Sequence, residues 1–258
     1  MRVLRLLVAY DGTRFCGWQR QENGPTIQAA IEDALLPFSD RQVDGRTAPP
    51  IVFGAGRTDA GVHALGQVAS VQIGTMHPVD AIRRALNVTL DRDIRVLEVT
   101  DAPETFNARF DAAGKTYRYR IATGEVVSPF AHRYVWHHPQ PLDVEAMQVA
   151  VPALLGRHDF SAFMSSGSDV TDTVRALDRA ELRVNGDELV FEVHGDGFLR
   201  HMVRAIVGTL VDIGTGRRVP ASMRAVLDSQ DRGQAGDTAP AQGLALVSVD
   251  YQWPVIDS

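Results

Sequence analysis

The chain has 258 residues, 45% hydrophobic and 22% charged, a balance that suits a folded molecule with a sizeable core and excludes extended disorder. Its net charge of −6 argues against indiscriminate nucleic-acid binding, and no apolar run approaches the roughly 20 residues needed to span a bilayer. A single cysteine, Cys16, excludes an internal disulfide and any multi-cysteine zinc site, and points weakly to the cytoplasm.

The opening residues Met1–Val8 lack the cleavage pattern of a signal peptide and read as the start of a first strand, over residues 3–10. A helix is predicted over 26–36, where Ile27, Ala30, Ile31, Ala34 and Leu35 recur at helical spacing before Pro37. Residues 40–50 read as a polar loop. A short strand near 51–54 leads into a glycine-rich loop, and 67–73 alternates as a strand should. Residues 79–87 suggest a helix and 94–99 a strand. The order is β-α-β-β-α-β.

The second half reads the same way. Residues 115–121 form a strand and 143–155 a helix. Strands at 176–184 and 188–194 are joined at Asn185-Gly186, a strong hairpin signal. Val203, Ile206, Val207, Leu210 and Val211 mark a helix over about 199–214, and residues 244–249 a closing strand. Residues 229–242, rich in small and polar types, read as a mobile surface loop, and 161–173 as a loop bordering the site. The expected fold is α+β: two β-α-β-β-α-β halves of ferredoxin or RRM type, with mainly antiparallel sheets and a central cleft. Residues 1–105 form the half carrying the glycine loop, and 106–258 the half that completes the cleft.

That loop, Gly54-Ala55-Gly56-Arg57-Thr58-Asp59-Ala60-Gly61-Val62-His63-Ala64, is the most informative stretch. Its small residues let a ligand approach the backbone closely, presenting Asp59, with Arg57 two residues away to favour an ionised carboxylate and hold an anion. An ordinary Asp-Gly turn is the competing reading. The glycines do not form a dinucleotide fingerprint, and neither a P-loop nor a Gly-x-Ser-x-Gly elbow occurs. His132, His137 and His138 lack a completing carboxylate or cysteine, so no metal is expected. A loop carboxylate without such machinery points to covalent or acid–base work by the carboxylate itself, with a non-enzymatic binding fold as the alternative. Arg204, at the edge of an apolar helical stripe, is either a half-buried cation needing an anionic partner, with Asp59 the candidate, or a snorkelling surface residue.

Of the 26 basic residues only Lys115 is a lysine. Arginine suits phosphate and stacks on bases. Basic residues gather at Arg14 and Arg20, at Arg109, Lys115, Arg118 and Arg120, and at Arg200 and Arg204. A basic face on an acidic protein is therefore allowed.

The blocks Tyr10-Asp11-Gly12-Thr13, Phe15-Cys16-Gly17-Trp18-Gln19, Ala55 to Ala64, Phe106-Asn107-Ala108-Arg109-Phe110, Lys115-Thr116-Tyr117-Arg118-Tyr119, His201-Met202-Val203-Arg204 and Gly243-Leu244 occur in that order. Together they closely resemble the tRNA pseudouridine synthase A family, over nearly the whole chain. The resemblance implies isomerisation of uridine to pseudouridine at positions 38, 39 and 40 in the anticodon stem and loop of tRNA. It further implies a homodimer of two-lobed subunits that uses no cofactor. It makes Asp59 the nucleophile, Arg204 its basic partner, Tyr117 a stacking surface for the base, and Leu244 an apolar wall. Arg57 becomes a contact to the flipped nucleotide or its phosphate. The rivals are a non-catalytic RNA-binding or chaperone protein of two RRM-like units and, last, a glycosidic hydrolase, which would want a second carboxylate.

Overall fold

The computed structural model describes residues 1–165, 167 and 170–252. The chain divides into two compact units, one of Met1–Ala113 with the segment returning from Leu246, the other of Gly114–Ala245. The fold is mixed α/β with mainly antiparallel pairing.

In the first unit β1 (Arg2–Tyr10) leads to α1 (Ile27–Ala34), a short ladder of β2 (Gln42–Val43) and β3 (Arg46–Thr47), β4 (Val52–Gly54), β5 (His63–Ile73), α2 (Val79–Thr89) and β6 (Ile94–Ala102). Strand β1 lies between β6 and β5, antiparallel to both, and buries Leu4, Leu6, Val8 and Tyr10 on one face. Its register against β5 shifts between Val8 and Tyr10, which sets Tyr10 opposite Ala64 at the start of β5. Such a bulge re-aims the side chains that follow it.

Thr26 caps α1 by accepting the Ala29 N–H, and Ile27, Ile31 and Ala34 are buried. The buried Glu32 carboxylate accepts from Val52 N at 3.0 Å, Gln28 Nε2 at 2.9 Å and Arg20 Nε at 2.6 Å, tying α1 to β4. The helix ends at Ala34, shorter than expected, because Pro37 heads a 3-10 turn over Leu36–Phe38. The segment read as a plain loop at 40–50 contains the β2–β3 ladder, turned at Asp44 and Gly45, both with positive φ.

The second unit runs through β7 (Ala112–Ala122), β8 (Trp136–His137), α3 (Val144–Ala150), β9 (Gly156–Asp159), β10 (Val174–Asn185), β11 (Glu188–Gly195), α4 (Met202–Gly214) and α5 (Ser222–Ser229). Its strand order is β7-β11-β10-β9, all antiparallel, with β8 parallel to β7. Asn185 still pairs with Glu188, so the hairpin turns on Gly186 and Asp187, one residue later than the sequence suggests. The helix expected over 143–155 is α3 followed by a 3-10 turn at Val151–Leu154, where Pro152 interrupts the α pattern. Ser166 and Ser168 of the loop expected at 161–173 lie outside the described residues. Strand β12 (Leu244–Tyr251) closes the fold, and from Leu246 it lies beside β5 in the first unit.

Helix α4 is buried on nearly every side and forms the centre of the second unit. Residues 229–242 are not the mobile surface loop that their composition suggests. Ala235, Gly236 and Ala239 are buried against α4, where Gly236 N donates to Thr209 Oγ1 at 2.9 Å. Their small size permits this approach. A Cβ on Gly208 would collide with the carbonyl oxygen of Asp237.

Three tyrosines are held protonated by burial. Desolvation pushes Tyr10 up to about 12, and raises Tyr119 and Tyr251 as well. Above pH 10 the unfolded chain then ionises these phenols while the folded chain keeps their protons, so stability falls as pH rises. We expect urea unfolding midpoints to drop progressively between pH 10 and 12. A flat profile over that range would contradict the burial of these hydroxyls.

Candidate active site

The loop of residues 55–62 runs from β4 to β5 and is held along its length. Ala55 N donates to Val68 O at 2.8 Å, and Gln67 Nε2 donates to Gly56 O at 2.9 Å. The buried Thr58 hydroxyl is hydrogen-bonded to Tyr10 Oη at 2.8 Å, and its carbonyl accepts from Trp18 N at 3.0 Å. Beyond Asp59, Gly61 N donates to Phe15 O and Val62 N to Asp59 O, closing a turn. His63 Nδ1 lies 3.0 Å from Gly12 N and 3.2 Å from Asp11 Oδ1, which fixes the imidazole against the segment that follows β1.

The segment 10–18 thus grips the loop from one side, and one glycine makes the grip possible. Gly17 has φ of +97°, and a Cβ there would lie 2.6 Å from Thr58 O and 3.2 Å from the carbonyl carbon of Asp59. A larger residue would be strained in its own backbone and would push the loop away. Trp18, buried beside Tyr10 with ring centroids 6.1 Å apart, fixes the base of this clamp. The side chain of Asp59 is half-buried and that of Arg57 exposed. The clamp residues lie within the sequence motifs without a chemical signature of their own, and the signal for their role is the pairing of β1 with β5.

The second unit positions the other three candidates. Tyr117 lies in β7 opposite Val193, 7% exposed, with its ring edge-on to Phe198 at 5.0 Å. Leu244 opens β12 and is buried. Arg204 sits in the first turn of α4, half-buried, and its Nε donates to Ala239 O at 2.7 Å while Ala239 N donates to Arg204 O at 3.1 Å. The segment 235–240 therefore grips Arg204 at both backbone and side chain. Pro240 O accepts from Tyr119 Oη at 2.7 Å, so the same segment is fastened to β7 two residues from Tyr117. Ala239 and Pro240 carry no chemical signature in the sequence and were missed. His201 precedes α4 with φ of +63°, and its Nδ1 is hydrogen-bonded to Ser165 Oγ at 2.6 Å.

Several basic residues that suggested a nucleic-acid face are neutralised within the protein. Arg14 pairs with Asp91 and Asp93, and Arg20 with Glu32 and Asp33. Arg118 and Arg120 make two-pronged contacts to Glu192 and Glu188 across the β7–β11 pair. The three histidines His132, His137 and His138 each place a ring nitrogen on a backbone carbonyl, of Pro129, Gly124 and Gln140. Among the described residues no cluster of His, Cys, Asp or Glu could hold a metal ion, and no helix is long and apolar enough to cross a membrane.

The sequence model of a family described as tRNA pseudouridine synthase matches residues 6–111 and 150–252. The chain belongs to the tRNA pseudouridine synthase family. Relatives named tRNA pseudouridine synthase A include one from Geotalea uraniireducens, 43% identical over 97% of this chain and 100% of the relative. Another, from Syntrophotalea carbinolica, is 45% identical over 97% of both chains. A third, from Moorella thermoacetica, is 44% identical over 97% of this chain and 100% of its own. Membership in a pseudouridine synthase family makes the protein an isomerase, and the matched residues include the whole Asp59 loop and its clamp.

The clamp gives a direct test. Gly17→Ala should lower the turnover number for pseudouridine formation by at least about tenfold if the loop carries a group that takes part in the reaction, since a displacement of this kind misplaces it. RNA affinity should change by less than about threefold, because no RNA-contacting side chain is removed. A Gly17→Ala protein that folds and turns over at the wild-type rate would show that the clamp is dispensable.

Proposed function

We propose that the protein converts uridine to pseudouridine at positions 38, 39 and 40 in the anticodon stem and loop of tRNA, with Asp59 as the nucleophile. The observation that carries this reading is the clamped loop. A carboxylate whose loop is tied down at Thr58 by Trp18 and Tyr10, and two residues beyond it at Gly61 by Phe15, is held in place as nucleophilic catalysis requires. A protein that only bound RNA would gain nothing from fixing an anion toward a polyanion.

The isomerisation breaks the C1′–N1 bond and makes a C1′–C5 bond. A proton leaves C5 and one is taken up at N1, so the reaction is redox-neutral and needs no cofactor. Attack of Asp59 on C6, attack on C1′, and carboxylate-assisted elimination to a glycal-like sugar all begin from an ionised carboxylate. In this reading Arg204 is the cation that keeps Asp59 ionised and aimed, and its half-buried stem and the hydrogen bond to Ala239 O support a fixed rather than a wandering head. Tyr117 supplies a flat face for the uracil, worth roughly 1–3 kcal/mol as base–aromatic contacts go, and its hydroxyl is the candidate relay for the C5 proton, releasing its own proton as it takes that one. Leu244 walls the base, and the exposed Arg57 contacts the flipped nucleotide or its phosphate. A target inside a stem must first leave the stack. The proposal includes a homodimer working in the cytoplasm, and the reading of each unit as a β-α-β-β-α-β half.

Replacement of Asp59 by Ala should abolish product while tRNA binding persists, measured by pseudouridine formation and by filter binding on the same protein. Arg204→Met should lower turnover more than affinity. If either change acted only on binding, the role assigned to that residue would be wrong.

A further inference from the structure

The Phe106-Asn107-Ala108-Arg109-Phe110 block has no part in the chemistry described above, yet the first unit invests heavily in holding it still. Phe106 is buried edge-on to Tyr251 at 5.4 Å, and Tyr251 Oη donates to Ala108 O at 2.7 Å. Ala108 N donates to Ser70 Oγ of β5 at 3.1 Å. Asn107 Oδ1 accepts from the backbone N–H groups of both Arg109 and Phe110, at 2.9 and 3.2 Å, while Asp111 Oδ2 accepts from Asn107 N. All this fastening serves two residues that point outward. Phe110 is 78% exposed, and the Arg109 guanidinium lies over its ring, 5.6 Å from the centroid.

A rigidly mounted, exposed aromatic ring with a cation against one face offers a ligand a pre-ordered apolar surface and a charge side by side. Arg14, Arg20, Arg118 and Arg120 are all consumed in ion pairs, whereas Arg109 has none among the described residues. Its charge is available to an anion, and the outer face of Phe110 to a flat apolar surface. Phosphate and nucleobase supply both at once.

Position separates this pair from the reaction. Thr58, next to Asp59, is bonded to Tyr10, which pairs with Ala64 of β5, and Ser70 lies six residues along the strand from Ala64, on the order of 20 Å at the rise of an extended strand. The Arg109–Phe110 pair is therefore too distant to touch the reacting nucleotide.

We propose that Arg109 and Phe110 form a distal RNA-binding platform, on which an unpaired base of the tRNA stacks against Phe110 while Arg109 engages an adjoining phosphate. The proposal rests on tRNA being the substrate, and names where a second part of that molecule is held.

The test uses direct binding as well as turnover. In the full-length protein carrying Asp59→Ala, which cannot turn over, Phe110→Ala should weaken equilibrium binding of tRNA by roughly tenfold to a hundredfold, and Phe110→Trp should restore it. Arg109→Gln should reduce the slope of log affinity against log salt by about one. In the otherwise wild-type enzyme Phe110→Ala should raise KM and leave kcat within about twofold. Unchanged tRNA affinity in Phe110→Ala would overturn the platform even if the enzyme makes pseudouridine as expected. So would a loss of affinity accompanied by a changed sedimentation coefficient of the RNA-free protein, which would assign the ring to contact with a second copy of the chain. Failure of the parent protein to modify tRNA would instead overturn the functional reading.

Discussion

The hydrogen bond from Trp18 N to Thr58 O, closed over a glycine that alone can lie there, is the constraint on which the first unit turns. Around it the chain accumulates fixings of the same sense: a phenol on the Thr58 hydroxyl, an amide on Gly56 O, and a carbonyl on Gly61 N. Each contributes on the order of 1 kcal/mol net, modest singly. Their joint effect is to remove the conformational freedom that a run of glycine and alanine would otherwise have. The small residues let the backbone come close, and the clamp makes that closeness rigid.

The second unit solves a related problem with the opposite material. Arg204 has a long stem and many rotamers, so a charge fixed in place requires a surround. The chain folds the segment 235–240 back onto α4, through the opening left by Gly208, and offers Ala239 O to the guanidinium Nε. The tie from Tyr119 Oη to Pro240 O carries this bracing to the strand that bears Tyr117. A phenol so placed stays protonated well beyond neutral pH and acts there as a permanent donor.

Much of this was legible in the sequence, and what was not has physical reasons. Alternation and helical periodicity located the long elements, because burial of one face imposes those periods whatever the tertiary partners. Asp59, Arg57 and Arg204 stand out in the sequence by their chemistry and setting, whereas Tyr117 and Leu244 are marked only by the family resemblance. The clamp on Thr58 was invisible, since it consists of backbone groups and depends on a bulge that sets Tyr10 opposite Ala64. Residues 235–240 were misread because alanine and glycine are common in mobile loops and in tightly packed ones alike. Only the partner surface, here α4, distinguishes the two. The basic face that the composition allows is smaller than a count of arginines suggests: Arg118 and Arg120 look available in sequence, and only the β7–β11 register reveals their glutamate partners.

The central claim is that the clamped carboxylate at position 59 forms pseudouridine in tRNA. It is tested most directly by mapping pseudouridine in the tRNA of cells deleted for this protein and complemented with either the natural chain or Asp59→Asn. Asparagine preserves the shape of the side chain and leaves the clamp in place, so only the charge is removed. The account expects pseudouridine at positions 38–40 to vanish on deletion, return with the natural chain, and remain absent with Asp59→Asn. Undiminished modification in the deletion, or full restoration by the asparagine variant, would contradict it.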